Sequence, residues 1–468
     1  MRCPSDRSFT FNVKAVDVLL RSRFRRIRLT SVQLIVLFYL LAVTISTFLI
    51  GLPIAHQPGM HLSFIDALFT AVSAVSVTGL AVVSTADTFS VPGIFILAFV
   101  LQIGGIGIMT LGTFVWLVMG KKIGLKERQL IMTDQNQSTL SGLVQLMKQI
   151  LGLIFIIELI GALILGTYYL RFFETWQEAY LQGFFASVSA TTNGGYDITG
   201  SSLQPFAHDY FVQFIHTLLI VTGAIGFPVL IEVKNFLFSR QQSHRYKFSL
   251  FTKLTTMTFF LLVVSGAILI WAFEATSFFA DKSWHETFFY SMFQSVTTRS
   301  GGLSTMDVNQ FQEPTQLLLS ALMFIGASPS SVGGGVRTTT FAIVLLAIFF
   351  FAKGGTSIKV FGRELHPEDI HKAFVVFTVA IIVWSCGIIM LSFSEPYPIV
   401  SIIFEVSSAF GTTGLSMGVT PGLSTFGKIV IMCLMFIGRI GILSFLFLIR
   451  GTVLRERYHY PTERVIIG

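Results

Sequence analysis

Four short clusters carry the chemistry in this sequence: Val77-Thr78-Gly79-Leu80, Asn193-Gly194-Gly195-Tyr196, Ser300-Gly301-Gly302-Leu303 and Thr412-Thr413-Gly414-Leu415. Each closes a short apolar run. None contains an acid, and Asp197 lies just beyond the second. Their third residues are glycines at 79, 195, 302 and 414, spaced 116, 107 and 112 residues apart. What such segments offer is their main chain. Consecutive carbonyls turned to one side need backbone angles that glycine tolerates and Cβ-bearing residues resist. Small residues also let strands approach closely. Four such strands around one axis would present a ring of carbonyl oxygens able to replace the hydration shell of a cation.

The rest of the chain reads as the frame for those strands. Of its 468 residues, 53% are hydrophobic and 12% are charged, with mean hydropathy +0.74. A soluble domain carries about 25% charge, so this is an integral membrane protein. Apolar runs long enough to cross a bilayer fall near 32–50, 92–118, 149–170, 211–233, 254–273, 372–393 and 424–449, and an eighth, 315–352, is broken in its middle. The pattern is one unit repeated four times: a long apolar run, a shorter one ending at a glycine cluster, and a second long run. The expected fold is an all-α polytopic membrane protein, with four helix–pore loop–helix units in a pseudo-fourfold arrangement around one pore. The divisions are a basic N-terminus over 1–29, units at 30–120, 146–238, 250–352 and 372–450, and a tail over 451–468.

The short runs read as re-entrant pore helices. Ser63-x-x-Asp66, Thr175-x-x-Glu178 and Ser283-x-x-Glu286 each place a hydroxyl three residues before an acid, the signature of a capped helix start. The fourth unit has Pro396 and Pro398 instead. A phenylalanine stands ten residues before the glycine in three units (Phe69, Phe185, Phe404), and Met292 takes that place in the other. A run this short cannot cross the bilayer, and its return strand cannot face lipid. Four pore helices would aim their C-terminal dipole ends, each worth about half a negative charge, at the axis.

A second register follows the first. Glycine-rich segments begin 24 to 28 residues after each repeat glycine, at Gly104, Gly223, Gly326 and Gly438. Close helix packing is the preferred reading for the first two. In unit three the segment runs on as Gly326-Ala327-Ser328-Pro329-Ser330-Ser331-Val332-Gly333-Gly334-Gly335, which cannot be regular helix and reads as a gate loop below the ring. In unit four Arg439 sits inside an apolar run, where it would raise a barrier to cations or pair with the loop's carbonyls. Arg337 is expected as a structural anchor, and Arg299 as a hydrogen-bonded brace of the third cluster. Glu158, Glu232 and Glu405 are expected to have structural partners, with Glu405, beside the fourth cluster, the likeliest exception.

Twenty-six of the 32 basic residues fall in the N-terminus, the three connectors between units and the tail. The positive-inside rule then places both termini in the cytoplasm of a plasma-membrane protein. Dispersed between spans, that charge does not suit nucleic acid. Cys3, Cys386 and Cys433 lack metal spacing and read as free thiols. No HExxH, GK[ST] P-loop, GxSxG or paired-carboxylate cluster appears, which argues against an enzyme. An ion-coupled transporter of a small organic solute is the alternative, since broken helices suit it too.

The chain resembles the Ktr/Trk/HKT potassium transporter superfamily, and most of all the membrane subunit of bacterial Ktr systems. The resemblance runs from about Arg28 to Gly468. It rests on Phe64-Ile65-Asp66-Ala67-Leu68-Phe69 leading to Thr78-Gly79-Leu80, on Lys121-Lys122-Ile123-Gly124-Leu125, on Phe410-Gly411-Thr412-Thr413-Gly414-Leu415 and on Phe436-Ile437-Gly438-Arg439-Ile440-Gly441. It implies that Gly79, Gly195, Gly302 and Gly414 are filter glycines, that Gly326 to Gly335 is an intramembrane gate, and that Arg439 flanks it. Glycine in the first filter goes with potassium, and serine there with sodium-selective plant relatives. The resemblance further implies a homodimer on a cytosolic, nucleotide-binding RCK ring of the KtrA/KtrC type, with Val465 to Gly468 at the dimer contact. No cofactor is expected in this chain: transported potassium passes through it, sodium is an open candidate as activator, and nucleotide belongs to the partner. Pro329 and the triple glycine depart from the Ala/Ser/Thr usual in relatives.

Overall fold

The computed structural model describes residues 30–107, 142–238, 247–355 and 357–450, with Glu463 and Ile466. The basic N-terminus with Cys3, the end of unit one beyond 107, the Lys121-to-Leu125 motif and the remainder of the C-terminal tail lie outside the described residues.

Each unit opens with a long helix: α1 Ser31–Ile50, α4 Leu143–Tyr169, α8 Leu250–Glu274 and α12 Pro367–Ser394. These have 20, 27, 25 and 28 residues, or roughly 30 to 42 Å of helix, enough to cross a bilayer. The pore helices are α2 Phe64–Val75, α5 Trp176–Thr191, α9 Trp284–Thr297 and α13 Ile399–Gly411. At 12 to 16 residues they reach only about 18 to 24 Å and must turn back. Three start as their sequence requires. Ser63 Oγ accepts from Asp66 N at 3.2 Å, Thr175 Oγ1 from Glu178 N at 3.3 Å, and Glu286 Oε2 from Ser283 N at 2.8 Å. The backbone N–H and hydroxyl of Ser283 hold the Glu286 carboxyl below the usual carboxylate range.

The third helix departs from the expected continuous span in units two and four, is broken in unit three as expected, and in unit one is described only as far as Gly107. It comprises α3 Val91–Ile106 in unit one, α6 Tyr210–Ala224 with α7 Phe227–Phe238 in unit two, α10 Glu313–Phe324 with α11 Thr338–Ala352 in unit three, and α14 Thr425–Ile440 with α15 Ile442–Arg450 in unit four. The bend is 108° between α6 and α7 and 101° between α14 and α15. Among the described residues, four helices are continuous and apolar enough to cross a membrane, or six with each bent pair taken as one span. The cause is backbone: Gly226 and Gly441 at the bends, and Gly107 at the end of α3, have φ of +102°, +85° and +93°, which no helix accommodates. The packing reading of the first two glycine segments was therefore incomplete. Gly104 does pack against Val75 and Val77, and Gly223 against Asn193, but the glycine three positions on ends the helix.

The units close into a ring. The inner helix α3 of unit one packs on pore helix α5 of unit two, α6 on α9, α10 on α13, and α14 on α2. In every unit the chain at or just beyond the end of the long helix is tied to the start of the inner helix. Ser90, the cap of α3, donates to the Ile54 carbonyl; Tyr168 donates to the cap Asp209; Glu274 accepts from Gln312 N; Glu395 accepts from Ser424 Oγ. Phe69, Phe185 and Phe404 are fully buried at matching places in the pore helices, while Leu40, Phe95, Ile156, Ile268 and Ile382 lie exposed on the outside, facing lipid. Truncating a buried phenylalanine removes packing that lipid cannot supply. Phe404→Ala is expected to cost about 3 kcal/mol, measured as a lower unfolding temperature of the detergent-purified protein. Trp284→Ala, at an exposed position, is the control and should leave that temperature unchanged.

Candidate functional site

The four clusters adopt one backbone conformation. Val77, Asn193, Ser300 and Thr412 have φ of +55°, +53°, +71° and +48°, and the glycines two positions on have +88°, +66°, +72° and +95°. The residue between keeps a negative φ in every case. That middle residue sends its N–H back into its own pore helix: Thr78 to Ser73 O at 2.8 Å, Gly194 to Ser189 O at 2.7 Å, Gly301 to Thr297 O at 2.7 Å and Thr413 to Ser408 O at 2.8 Å. The donor is turned outward, which leaves the carbonyls free.

The glycines meet around one centre. A Cβ added at Gly79 would lie 2.9 Å from the Gly195 Cα; one at Gly195, 3.0 Å from the Gly302 Cα; one at Gly302, 3.5 Å from the Gly414 Cα; and one at Gly414, 3.1 Å from the Gly79 Cα. The circuit closes in chain order. The carbonyls of Thr78, Gly194 and Thr413 press against the glycine of an adjoining unit. No backbone or side-chain donor among the described residues reaches a carbonyl of the twelve positions 77–79, 193–195, 300–302 and 412–414. All are buried except Gly195 and Gly414, which are half-buried. Buried carbonyls are nearly always paired, so these unpaired carbonyls, carried on four turns whose glycines meet around one centre, form a site for a positively charged or hydrogen-donating guest. With no acid in the ring, the negative ends of α2, α5, α9 and α13 supply the field.

Below the ring lies the unit-three loop between α10 and α11. Its glycines pack against the cluster residues of units three and four: Gly333 against Ser300, Gly334 against Thr412 and Gly335 against Gly411. It is hydrogen-bonded to unit two, with Ser328 N to Ala224 O at 3.1 Å, Val332 N to Gly223 O at 3.1 Å and Phe227 N to Ser330 O at 2.8 Å. Val332 joins a hydrophobic cluster with Val77 and Ile106 of unit one. Pro329 faces unit two, its carbonyl against Gly226, and Gly326 packs on the Gly334 carbonyl within the loop. The loop therefore touches all four units and floors the ring.

Arg439 locks that floor. Its Nη1 donates to the Val332 carbonyl and its Nη2 to the Gly104 carbonyl, joining units four, three and one. Pairing with loop carbonyls was expected; the bond to unit one was not. Arg337 donates to the Gly333 carbonyl within the loop and so anchors it. Arg299, fully buried, donates from Nη2 to the Leu322 carbonyl and to Thr298 Oγ1 at 3.3 Å.

The acids have structural partners, Glu405 included. Its carboxylate accepts from Ser416 Oγ, from Met417 N at 3.1 Å and from Thr420 Oγ1 at 2.9 Å, fixing the loop after the fourth cluster. Glu158 accepts from Gln102 Nε2 at 2.5 Å, and Glu232 from Ser249 N at 3.1 Å. Asp197 caps its own loop through Thr199, Gly200 and Ser202. Above the ring, Lys428 Nζ lies 2.7 Å from Asp66 Oδ1, joining units four and one. Partial burial works to raise the Asp66 carboxyl, but hydrogen bonds from Lys428 and Ser63 and the Lys428 charge outweigh it and hold the group below its usual range. Sequence reasoning missed this pair, whose members stand 362 residues apart.

The geometry has counterparts among known proteins. The chain is 64% identical over 440 residues to Ktr system potassium uptake protein D of Bacillus subtilis, covering 94% of this chain and 98% of that one. It is 36% identical over 450 residues to Ktr system potassium uptake protein B of the same organism, with the same shares covered. The crystal structure of the potassium transporter TrkH from Vibrio parahaemolyticus shares the fold, with a TM-score of 0.71 at 18% identity over 94% of this chain and 91% of that one. These relatives are transport proteins, in line with a sequence without catalytic motifs. Residues 13–454 match the family described as TrkH, cation transport protein, and the chain, an integral membrane protein, belongs to that family.

Proposed function

We propose that this chain is the ion-translocating subunit of a potassium-uptake system of the plasma membrane. The observation that carries this reading is the closed ring of Gly79, Gly195, Gly302 and Gly414, with its orphaned buried carbonyls. The potassium systems named for its relatives support the choice of ion. Potassium gives up water to the carbonyls of Val77, Thr78 and Gly79 and their counterparts in the other units. Four dipole ends attract it without a carboxylate that would hold it fast.

The loop from Gly326 to Gly335 is the gate. Its bonds from Arg439 and Arg337 engage charged donors, each worth about 1.5 to 3 kcal/mol, so the closed floor rests in place until a partner pulls on it. The Arg439 charge adds a barrier to any cation beneath the ring. The force comes from outside the chain, through a cytosolic RCK ring that binds nucleotide, with two copies of this chain on one ring and all termini on the cytoplasmic side.

Gly79→Ser forces a Cβ to 2.6 Å from the Gly194 carbonyl oxygen at φ +88°. Strain of this kind costs about 1 to 3 kcal/mol, enough to spoil a filter. The preference for rubidium over sodium is expected to fall on the order of tenfold, measured as uptake in a host lacking its own potassium uptake. Unchanged selectivity would refute the filter assignment. Deleting residues 328–334 removes the floor. Flux should then rise and lose its dependence on the cytosolic partner, compared in proteoliposomes with and without it. Wild-type flux from the deletion variant would exclude the loop as the gate.

A further inference from the structure

The ring is fourfold in backbone but not in charge. The position three residues before each ring glycine is held by Ser76, Thr192, Arg299 and Gly411. In unit one the hydroxyl folds back on the pore helix, Ser76 Oγ to Val72 O at 2.6 Å, and in unit two Thr192 Oγ1 goes to Val188 O at 2.7 Å. Unit four has no side chain there. Unit three alone puts a guanidinium at the end of its pore helix.

That guanidinium is fully buried, and no carboxylate among the described residues lies within ion-pair reach of it. Two of its nitrogens, Nε and Nη1, have no hydrogen-bond partner among the described residues. What it does touch is the Leu322 carbonyl in the last turn of α10, while its own backbone N–H closes the end of α9 on Val296 O at 2.9 Å. Its surroundings are therefore the negative ends of two helices, the place where an uncompensated cation is least costly. Its Cα is three residues from that of Gly302, no more than about 11 Å along the chain. In a dry protein interior, salt does not screen charges over that distance as it does in water.

We propose that Arg299 is an electrostatic counterweight that sets how tightly the ring holds a cation. Conduction demands binding strong enough to strip water yet weak enough for release. Four bare helix ends converging on one centre favour binding. One buried positive charge behind the third strand subtracts from that field and restores release. Acting from behind the strand, Arg299 tunes the path without standing in it. The inference rests on the reading of the ring as a potassium filter.

The test is a charge series in proteoliposomes containing the complete system: Arg299→Lys, which keeps the charge, and Arg299→Gln and Arg299→Met, which remove it with and without a hydrogen-bond donor. Rubidium uptake is measured against concentration. Gln and Met should each lower the KM about fivefold and the maximal rate by a similar factor, while Lys stays near wild type. A fall in maximal rate with unchanged KM, or Lys behaving like Gln, would overturn the proposal in favour of a packing role. If both neutral variants fail to accumulate while Lys accumulates, the charge is needed for folding and the proposal also falls. Absence of rubidium uptake by the wild type would instead overturn the filter reading itself, so the two failures are distinguishable.

Discussion

The structure depends on the concentration of unpaired backbone carbonyls at one buried centre. A membrane protein has no bulk water there to satisfy them, and each orphan is costly. Eight residues must also hold a positive φ, four of them not glycine, and Val77 and Thr412 are β-branched as well. In the four non-glycine residues such angles cost of order 1 to 3 kcal/mol each and persist only where the surroundings over-determine them. Here the surroundings do. The middle residue of each turn is bonded into its pore helix, and the strand beyond is pinned by pore-helix hydroxyls, Ser189 to Tyr196 O and Thr297 to Leu303 O, both at 2.6 Å. Tyr196 then reaches across to the Thr70 and Leu80 carbonyls of unit one.

This constraint accounts for the frame. A strained turn keeps its shape only if its neighbours cannot retreat, and a closed circuit of units gives none of them room. Each inner helix leans on the next pore helix, and the chain at or just beyond each long helix holds the start of the inner helix. The same closeness explains why the inner helices end or bend at Gly107, Gly226 and Gly441. A straight helix continuing past the ring at that separation would run into the unit-three loop: a Cβ added at Gly226 would stand 2.8 Å from the Pro329 carbonyl oxygen.

Much of this was legible in the sequence. The repeat glycines and the hydroxyl-acid caps reflect local backbone chemistry, so they are written at fixed spacing. The broken segment of unit three announced itself through Pro329 and three successive glycines. The pairing of Arg439 with loop carbonyls followed from the cost of a lone charge in an apolar run. What was not legible depends on tertiary contact. Nothing in Val77 or Thr412 signals a left-handed turn; the ring imposes it. The bond from Arg439 to Gly104, the ion pair of Lys428 with Asp66 and the bonding of Glu405 join distant stretches of chain or an acid to its own loop, and composition gives no hint of them. The bend at Gly226 did leave a trace, since Pro228 two residues later is a helix-start signal. Gly441 left none.

The departure from fourfold symmetry has a geometric reason. A ring has four equivalent positions around its axis, and all four can be served by one repeated turn. Directly beneath it the axis itself has room for a single occupant, so only one unit can place a loop there. The other three must give it walls. Units two and four supply carbonyls, amides and a guanidinium, and unit one supplies an apolar contact and the Gly104 carbonyl. A duplicated sequence could keep its copies alike at the ring while being driven apart below it. That is why the four clusters match in conformation to within a few tens of degrees, while the segments a helix-length later share little beyond a glycine.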